Sequence, residues 1–233
     1  MKRKHCIILL LLSLNLVTQA QIIITTPYEL SIGASGGATF SSVTFSPLVQ
    51  QNKKTGVTIG LTGRITMGQF VGLQLELNFA QQGWKENFEY PEETTEGETN
   101  PSPHIEYYYN RLLNYVQLPF YTHIQFGSKN VKGFINAGPQ IGFMTSESTK
   151  SNLDGGQPGR VNMQHNMPVQ KKFDWGISGG GGIEIRTGIG YFLIEGRYMY
   201  ALGDIYNSRR EDPFSKASCQ TISVKMTYLL PFK

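Results

Sequence analysis

From about residue 29 onward, apolar and polar side chains alternate in short runs with a period of two. The clearest run places Val71, Leu73, Leu75, Leu77 and Phe79 on one face, and Gly72, Gln74, Glu76, Asn78 and Ala80 on the other. A second sets Val57, Ile59, Leu61 and Ile65 against Thr58, Gly60, Thr62 and Arg64. Eight such segments are predicted as strands: 29–40, 55–66, 70–82, 112–126, 132–145, 171–186, 190–202 and 217–230. Helix is disfavoured, because glycine is dense here and β-branched and aromatic residues dominate. Pro119 and Pro139 fall inside strands and each removes a ladder donor, so bulges or twist points are expected there. The run Gly179–Gly182 is expected to bend the sixth strand or to make room for bulky inward neighbours.

The connections alternate as well. Residues 67–69, 127–131 and 187–189 are short turns, whereas 41–54, 83–111, 146–170 and 203–216 are long loops. In an up-and-down barrel this puts every long loop on one side and both ends of the chain on the other. Period-two alternation does not say which face points outward, since a soluble barrel turns its apolar face in. Composition decides. Charged residues are only 16% of the chain, and the polar faces carry Gly, Ser, Thr, Gln and Asn where a wetted wall would carry Lys and Glu. Aromatics gather near strand ends. Phe70, Phe126, Tyr191, Tyr228 and Phe232 stand at the short-turn end, and Phe40, Phe79, Trp84, Phe143, Phe173, Trp175 and Tyr200 at the long-loop end. These are the expected interfacial girdles of an eight-stranded, antiparallel transmembrane β-barrel in an outer membrane.

Residues 1–20 read as a cleavable signal peptide, and 21–233 as one barrel domain. Lys2, Arg3 and Lys4 precede the apolar run Ile7–Leu12, and Thr18-Gln19-Ala20 supplies the small residues of a cleavage site. Cleavage leaves 213 of the 233 residues and takes the formal charge from +4 to +1, which removes any case for nucleic acid. It also removes Cys6, so Cys219 stands alone and neither a disulfide nor a cysteine metal site is expected.

Four stretches, in order, resemble the PorT-type outer-membrane β-barrel family of Bacteroidetes. They are Leu73-Gln74-Leu75-Glu76-Leu77 with Gln81-Gln82-Gly83, Tyr115-Val116-Gln117-Leu118-Pro119, Ala137-Gly138-Pro139-Gln140-Ile141-Gly142, and Leu193-Ile194-Glu195-Gly196-Arg197-Tyr198. The resemblance spans nearly the whole mature chain. It implies an outer-membrane barrel from a Bacteroidetes-like source and implies little chemistry, because most members have no assigned activity. One departure is that Lys233 follows Phe232, where such barrels end on an aromatic.

The inward faces carry a charged set: Arg64, Glu76, Glu184, Arg186, Glu195, Arg197 and Lys225. Strand directions place all seven in the periplasmic half of the lumen. An eight-stranded interior is just wide enough for side chains to fill, and charges there must pair. A structural salt-bridge network closing the lumen is the leading expectation, with a narrow solute pore as the alternative. A third reading is an outer-membrane enzyme acting on lipid A or peptides. For that, His123 sits on an inward face near the periplasmic end, while His104, beside Ser102 and Glu106, and His165 lie in long loops without rigid support. No catalytic residue, cofactor or metal site is therefore assigned.

Loop 83–111 is acidic, with Glu86, Glu89, Glu92, Glu93, Glu96, Glu98 and Glu106, and it ends in Tyr107-Tyr108-Tyr109. It is the candidate contact for an extracellular partner or cation, and Lys150 and Arg160 of loop 146–170 are placed to pair with it. The other expected partners are outer-membrane lipid, lipopolysaccharide and, during insertion, the barrel-assembly machinery. A monomer is the expected state.

Overall fold

The computed structural model describes residues 28–89, 106–152, 165, 167–208 and 212–232. The signal-peptide residues, and Glu92, Glu93, Glu96, Glu98, His104 and Arg160, lie outside them. Eight strands follow one another: β1 (Tyr28–Ser46), β2 (Asn52–Met67), β3 (Val71–Glu89), β4 (Glu106–Gly127), β5 (Val131–Ser151), β6 (Phe173–Thr187), β7 (Gly190–Ala201) and β8 (Lys216–Phe232). Each pairs antiparallel with the next, and β1 pairs with β8 from Leu30↔Phe232 to Ser46↔Lys216. The sheet is therefore a closed ring, with no free edge to leave amides unpaired in hydrocarbon.

Side-chain direction settles which face meets lipid. Leu61, Leu75 and Ile177 point outward at 48–61% exposure, whereas Arg64, Glu76 and Glu184 point inward at 0–2%. A soluble barrel would have these the other way round. The outward band also includes Ile32, Ile59, Leu73, Leu118, Phe120, Ile141, Ile194 and Val224. Phe70, Phe126 and Phe232 flank it at the short-turn end, and Phe79, Phe143, Phe173 and Trp175 at the other. Two expected girdle residues belong elsewhere. Trp84 and Tyr191 are buried inside, because each shares parity with inward neighbours, Trp84 with Gln82 and Glu76. Barrels of this kind carry short turns on the periplasmic side, which places Gly68–Phe70, Ser128–Asn130 and the Tyr28 and Phe232 ends there.

The strands run further than the sequence pattern predicts. A tilted strand needs only about 9–11 residues to cross hydrocarbon, yet β3, β4 and β5 have 19, 22 and 21. Part of each of the expected loops 41–54, 83–111 and 146–170 is therefore strand, and β1 and β2 are joined by residues 47–51 alone. Above the lipid band the alternation reverses its sense. Val43, Phe45, Trp84, Tyr109, Leu113 and Tyr115 face inward, while Lys85 and Asn87 face out. Water surrounds the wall at that height, so apolar side chains gain by turning to the interior.

The prolines also differ from expectation. Neither makes a bulge: the β4–β5 register is the same at Pro119↔Gln140 as at Thr122↔Ala137, and the ladder is only interrupted between. The irregularities lie at Asn114/Tyr115 and between Lys53 and Thr58, both toward the long-loop end.

Two expectations follow. The purified protein should migrate differently on gels before and after boiling and should fractionate with outer membranes. Arginine in place of Leu75, central in the band, should cost about 2–4 kcal/mol in urea titrations of vesicle-reconstituted protein. Leu48→Arg, in the exposed 47–51 loop, should be near neutral.

Candidate functional site

Every strand but β1 contributes to one continuous chain of polar contacts through the lumen. At the periplasmic end, Arg186 Nε lies 2.6 Å from Glu184 Oε1, and Arg64 Nη2 lies 2.7 Å from Glu184 Oε2. Arg64 Nη1 donates to His123 Nε2 at 3.2 Å. Arginine has only donors, so this ring nitrogen accepts and Nδ1 carries the hydrogen. Nδ1 in turn donates to Asn136 Oδ1 at 2.8 Å, and Asn136 Nδ2 donates to Glu195 Oε1 at 3.0 Å. Here the second tier begins. Arg197 forks between Glu195 Oε2 at 2.7 Å and Glu76 Oε1 at 2.8 Å, and its guanidinium lies 4.4 Å from the Tyr121 ring centre. Lys225 Nζ completes the chain at 2.8 Å from Glu76 Oε2. Gln74 and Asn78 donate to the two Glu76 oxygens at 2.7 and 2.9 Å.

All seven predicted lumenal charges are thus brought into one network. They fall at two levels, with Arg64, Glu184 and Arg186 near the rim and Glu76, Glu195, Arg197 and Lys225 at mid-height of the lipid band. Sequence reasoning missed the link between them. His123, Asn136 and Gln125 share the inward parity of β4 and β5, and that parity was the available signal. The glycine run of β6 makes the space. A Cβ on Gly180 would sit 2.3 Å from Gly196 O, and one on Gly182 2.0 Å from Ile194 O. Gly180 and Gly182 pair with Arg197 and Glu195, so β7 closes in tightly and its two long charged side chains take the interior room.

Above the second tier, Thr39, Asn78, Gln82, Gln117 and Thr221 surround a polar space of about 20 Å³, close to the room one water needs. Higher still, the mouth is filled by an aromatic core that the sequence pattern did not foretell. Phe45 meets Trp84 edge-on at 5.4 Å and Phe214 at 5.1 Å, and Tyr206 stacks on Phe214 at 5.9 Å. Val49, Val169, Ile205 and Cys219 pack with them. Arg111 stands within this core. It pairs with Glu147 at 2.6 Å and donates to Met167 O at 2.6 Å and to the Tyr109 and Tyr206 hydroxyls at 3.2 Å. Burial pushes the Tyr206 hydroxyl above its ordinary range, so it stays a neutral phenol.

Glu86, grouped above with the acidic loop, instead points inward and is fully buried. It accepts from Trp84 Nε1 at 2.7 Å and lies 3.0 Å from His165 Nε2, whose ring stacks on Tyr109 at 4.2 Å. At Glu86 the contact with segment 146–170 is made through His165. Residues 167–170 and 202–206 cross over the mouth, tied to each other by Gln170 N–Ile205 O and to β8 by Ile205 N–Ala217 O.

The profile of a family described as outer membrane protein beta-barrel domain matches residues 19–207. The chain belongs to this family. Its place in the cell is accordingly the outer membrane, as the outward apolar band requires. Several solved structures align with most of the chain at low identity. Ail, the attachment invasion locus protein of Yersinia pestis, is 12% identical over 87% of this chain and 99% of that one, with a TM-score of 0.41. OprG from Pseudomonas aeruginosa is 12% identical over 88% and 95%, with a TM-score of 0.47. The N-terminal β-barrel domain of OprF from the same organism is 9% identical over 86% and 97%, with a TM-score of 0.38. Among curated proteins, none matches the sequence.

Removing one partner from the central tier should cost more than removing one at the rim. Arg197→Met strands Glu195 and leaves Glu76 with Lys225 as its one cation, and should lose about 3–5 kcal/mol in urea titrations of the vesicle-inserted barrel. Arg186→Met, beside water, should lose less. Trp84→Ala should lose about 3–5 kcal/mol through the cavity left in the mouth.

Proposed function

We propose that this family member is a closed, non-enzymatic outer-membrane scaffold that works through what it holds above the membrane. The observation that carries this reading is the unbroken line of contacts from Arg186 to Lys225 across the lumen. Desolvated charges bonded on several sides form a rigid plug, because moving one leaves another unpaired. The aromatic mouth adds a second closure of different chemistry. A narrow pore would require both to open together.

The surface left to act is the collar of extended strands and the long segments they carry. Lys85, Asn87 and Lys150 project from that collar toward water. An extracellular partner engaging segment 83–111 fits this arrangement, and so does a monomer set in lipid and lipopolysaccharide after delivery by the assembly machinery. The enzyme reading loses support at His123 and His165. His123 is locked between Arg64 and Asn136 in the lumen, and His165 is held against Glu86 and Tyr109. The four ordered motifs favour a PorT-type member of Bacteroidetes origin within the broader family. Two of them supply network residues, Gln74 and Glu76, and Glu195 and Arg197, and the other two supply Gln117 and Gln140 beside the polar space.

Planar-bilayer recording of the pure protein is the direct test. No stable conductance is expected from the intact barrel, and Arg197→Met combined with Trp84→Ala should introduce brief openings. A large, ohmic conductance from the unaltered protein would overturn the reading.

A further inference from the structure

The network does not balance. Arg64, Arg186, Arg197 and Lys225 meet three carboxylates, Glu76, Glu184 and Glu195, so one positive charge is left over. The central tier is balanced within itself, and the surplus lies at the periplasmic rim. There Lys129 and Lys132 add two more cations. Neither has a carboxylate within ion-pair distance among the described residues. The charges bearing on Lys132 are Arg186, Glu184, Glu29 and Arg64. Glu29 is the one further carboxylate at this rim among the described residues, and it accepts from the Tyr191 hydroxyl at 2.9 Å.

These cations border a pocket of about 310 Å³ between two periplasmic turns. Ser128, Lys129, Lys132 and Arg186 supply its polar side, and Phe70 and Phe126 its apolar side. The walls are fixed. Gln125 holds the two turns together, its amide nitrogens bonding to Phe70 O at 2.7 Å and Gln69 O at 3.0 Å. Its Oε1 takes Arg186 Nη2 at 3.0 Å, and Arg186 N bonds to Asn130 O at 2.8 Å. Arg186 also lies against the Tyr191 ring at 4.4 Å. Phe70 and Phe126 are 62% and 53% exposed and belong to the inner girdle, so the apolar side opens onto lipid.

We infer that this rim pocket binds the phosphate headgroup of an anionic phospholipid in the periplasmic leaflet, with Lys129, Lys132 and Arg186 meeting the phosphate and Phe70 and Phe126 meeting the upper acyl chain. Uncompensated cations beside water gain most from a fixed anion, and only a lipid brings an anion and a hydrocarbon chain to adjoining walls. The site lies at the opposite end of the barrel from the proposed partner surface and does not depend on whether the lumen conducts.

Native mass spectrometry of the detergent-purified barrel, with phosphatidylglycerol as probe, tests this. One lipid should be retained per barrel, and Lys129→Gln with Lys132→Gln should weaken retention about thirtyfold. Lys150→Gln, on the outer collar, should change nothing, and an unaltered heat shift on gels shows that each variant is folded. Phosphatidylcholine should be retained poorly, and inorganic phosphate should fail to displace phosphatidylglycerol. Equal retention by the double variant, or equal retention of phosphatidylcholine, overturns the site. Displacement by inorganic phosphate overturns the lipid assignment in favour of a soluble anion. Displacement by a soluble cell-wall peptide fragment overturns it in favour of a carboxylate.

Discussion

Hydrocarbon offers a backbone amide no partner, and everything else in this barrel follows from that. A flat sheet of these strands would leave two edges unsatisfied, so β1 must find β8. Closure at eight strands then fixes the width of the interior, which side chains alone can fill. The sequence has to supply a filling that is polar enough to alternate with a lipid-facing surface and yet needs no bulk water.

It does so with two chemistries stacked along one axis. Within the lipid band the filling is ionic, and each carboxylate is held by more than one donor, as Glu76 is by Arg197, Lys225, Gln74 and Asn78. Beyond the band, where the wall stands in water, the filling is aromatic and resembles an ordinary globular core. The changeover occurs where the outer environment changes, between Asn78 and Trp84 on β3 and between Gln117 and Tyr115 on β4. The collar is in effect a small soluble barrel standing on a membrane barrel, with the same strands serving both.

What could be read from the sequence follows the same division. Inside the lipid band two environments act on two faces, so period-two alternation is sharp. Strand number, direction and the inward charges were all legible from residues such as Leu75 against Glu76. The network's connectivity was less so, because parity gives a face and a height but not an azimuth. Nothing in the chain says that His123 lies between Arg64 and Asn136. The extended strands were hidden by their own inversion. Once Trp84 and Tyr109 turn inward, a reader following apolar-out parity sees a broken pattern and writes a loop. The same apolar-out reading assigns Trp84 to the girdle. The prolines misled for another: a missing donor suggests a bulge, yet the ladder tolerates a local gap when neighbours on both sides hold the register.

The central ion pairs join residues far apart along the chain. Glu76 and Arg197 are separated by 121 positions, and Glu76 and Lys225 by 149. No hairpin or partial sheet can form them. A growing sheet that lacks β7 and β8 presents Glu76 to the interior without its cations, and such a surface holds water. Drying of the lumen is therefore tied to the arrival of the last strand, and the order of assembly is written into the charges. A ring that closed one strand short, or two residues out of register, would carry bare carboxylates where the native ring carries none. The network thus marks completion: only the full eight-stranded ring, in the right register, gives every one of its carboxylates a cation.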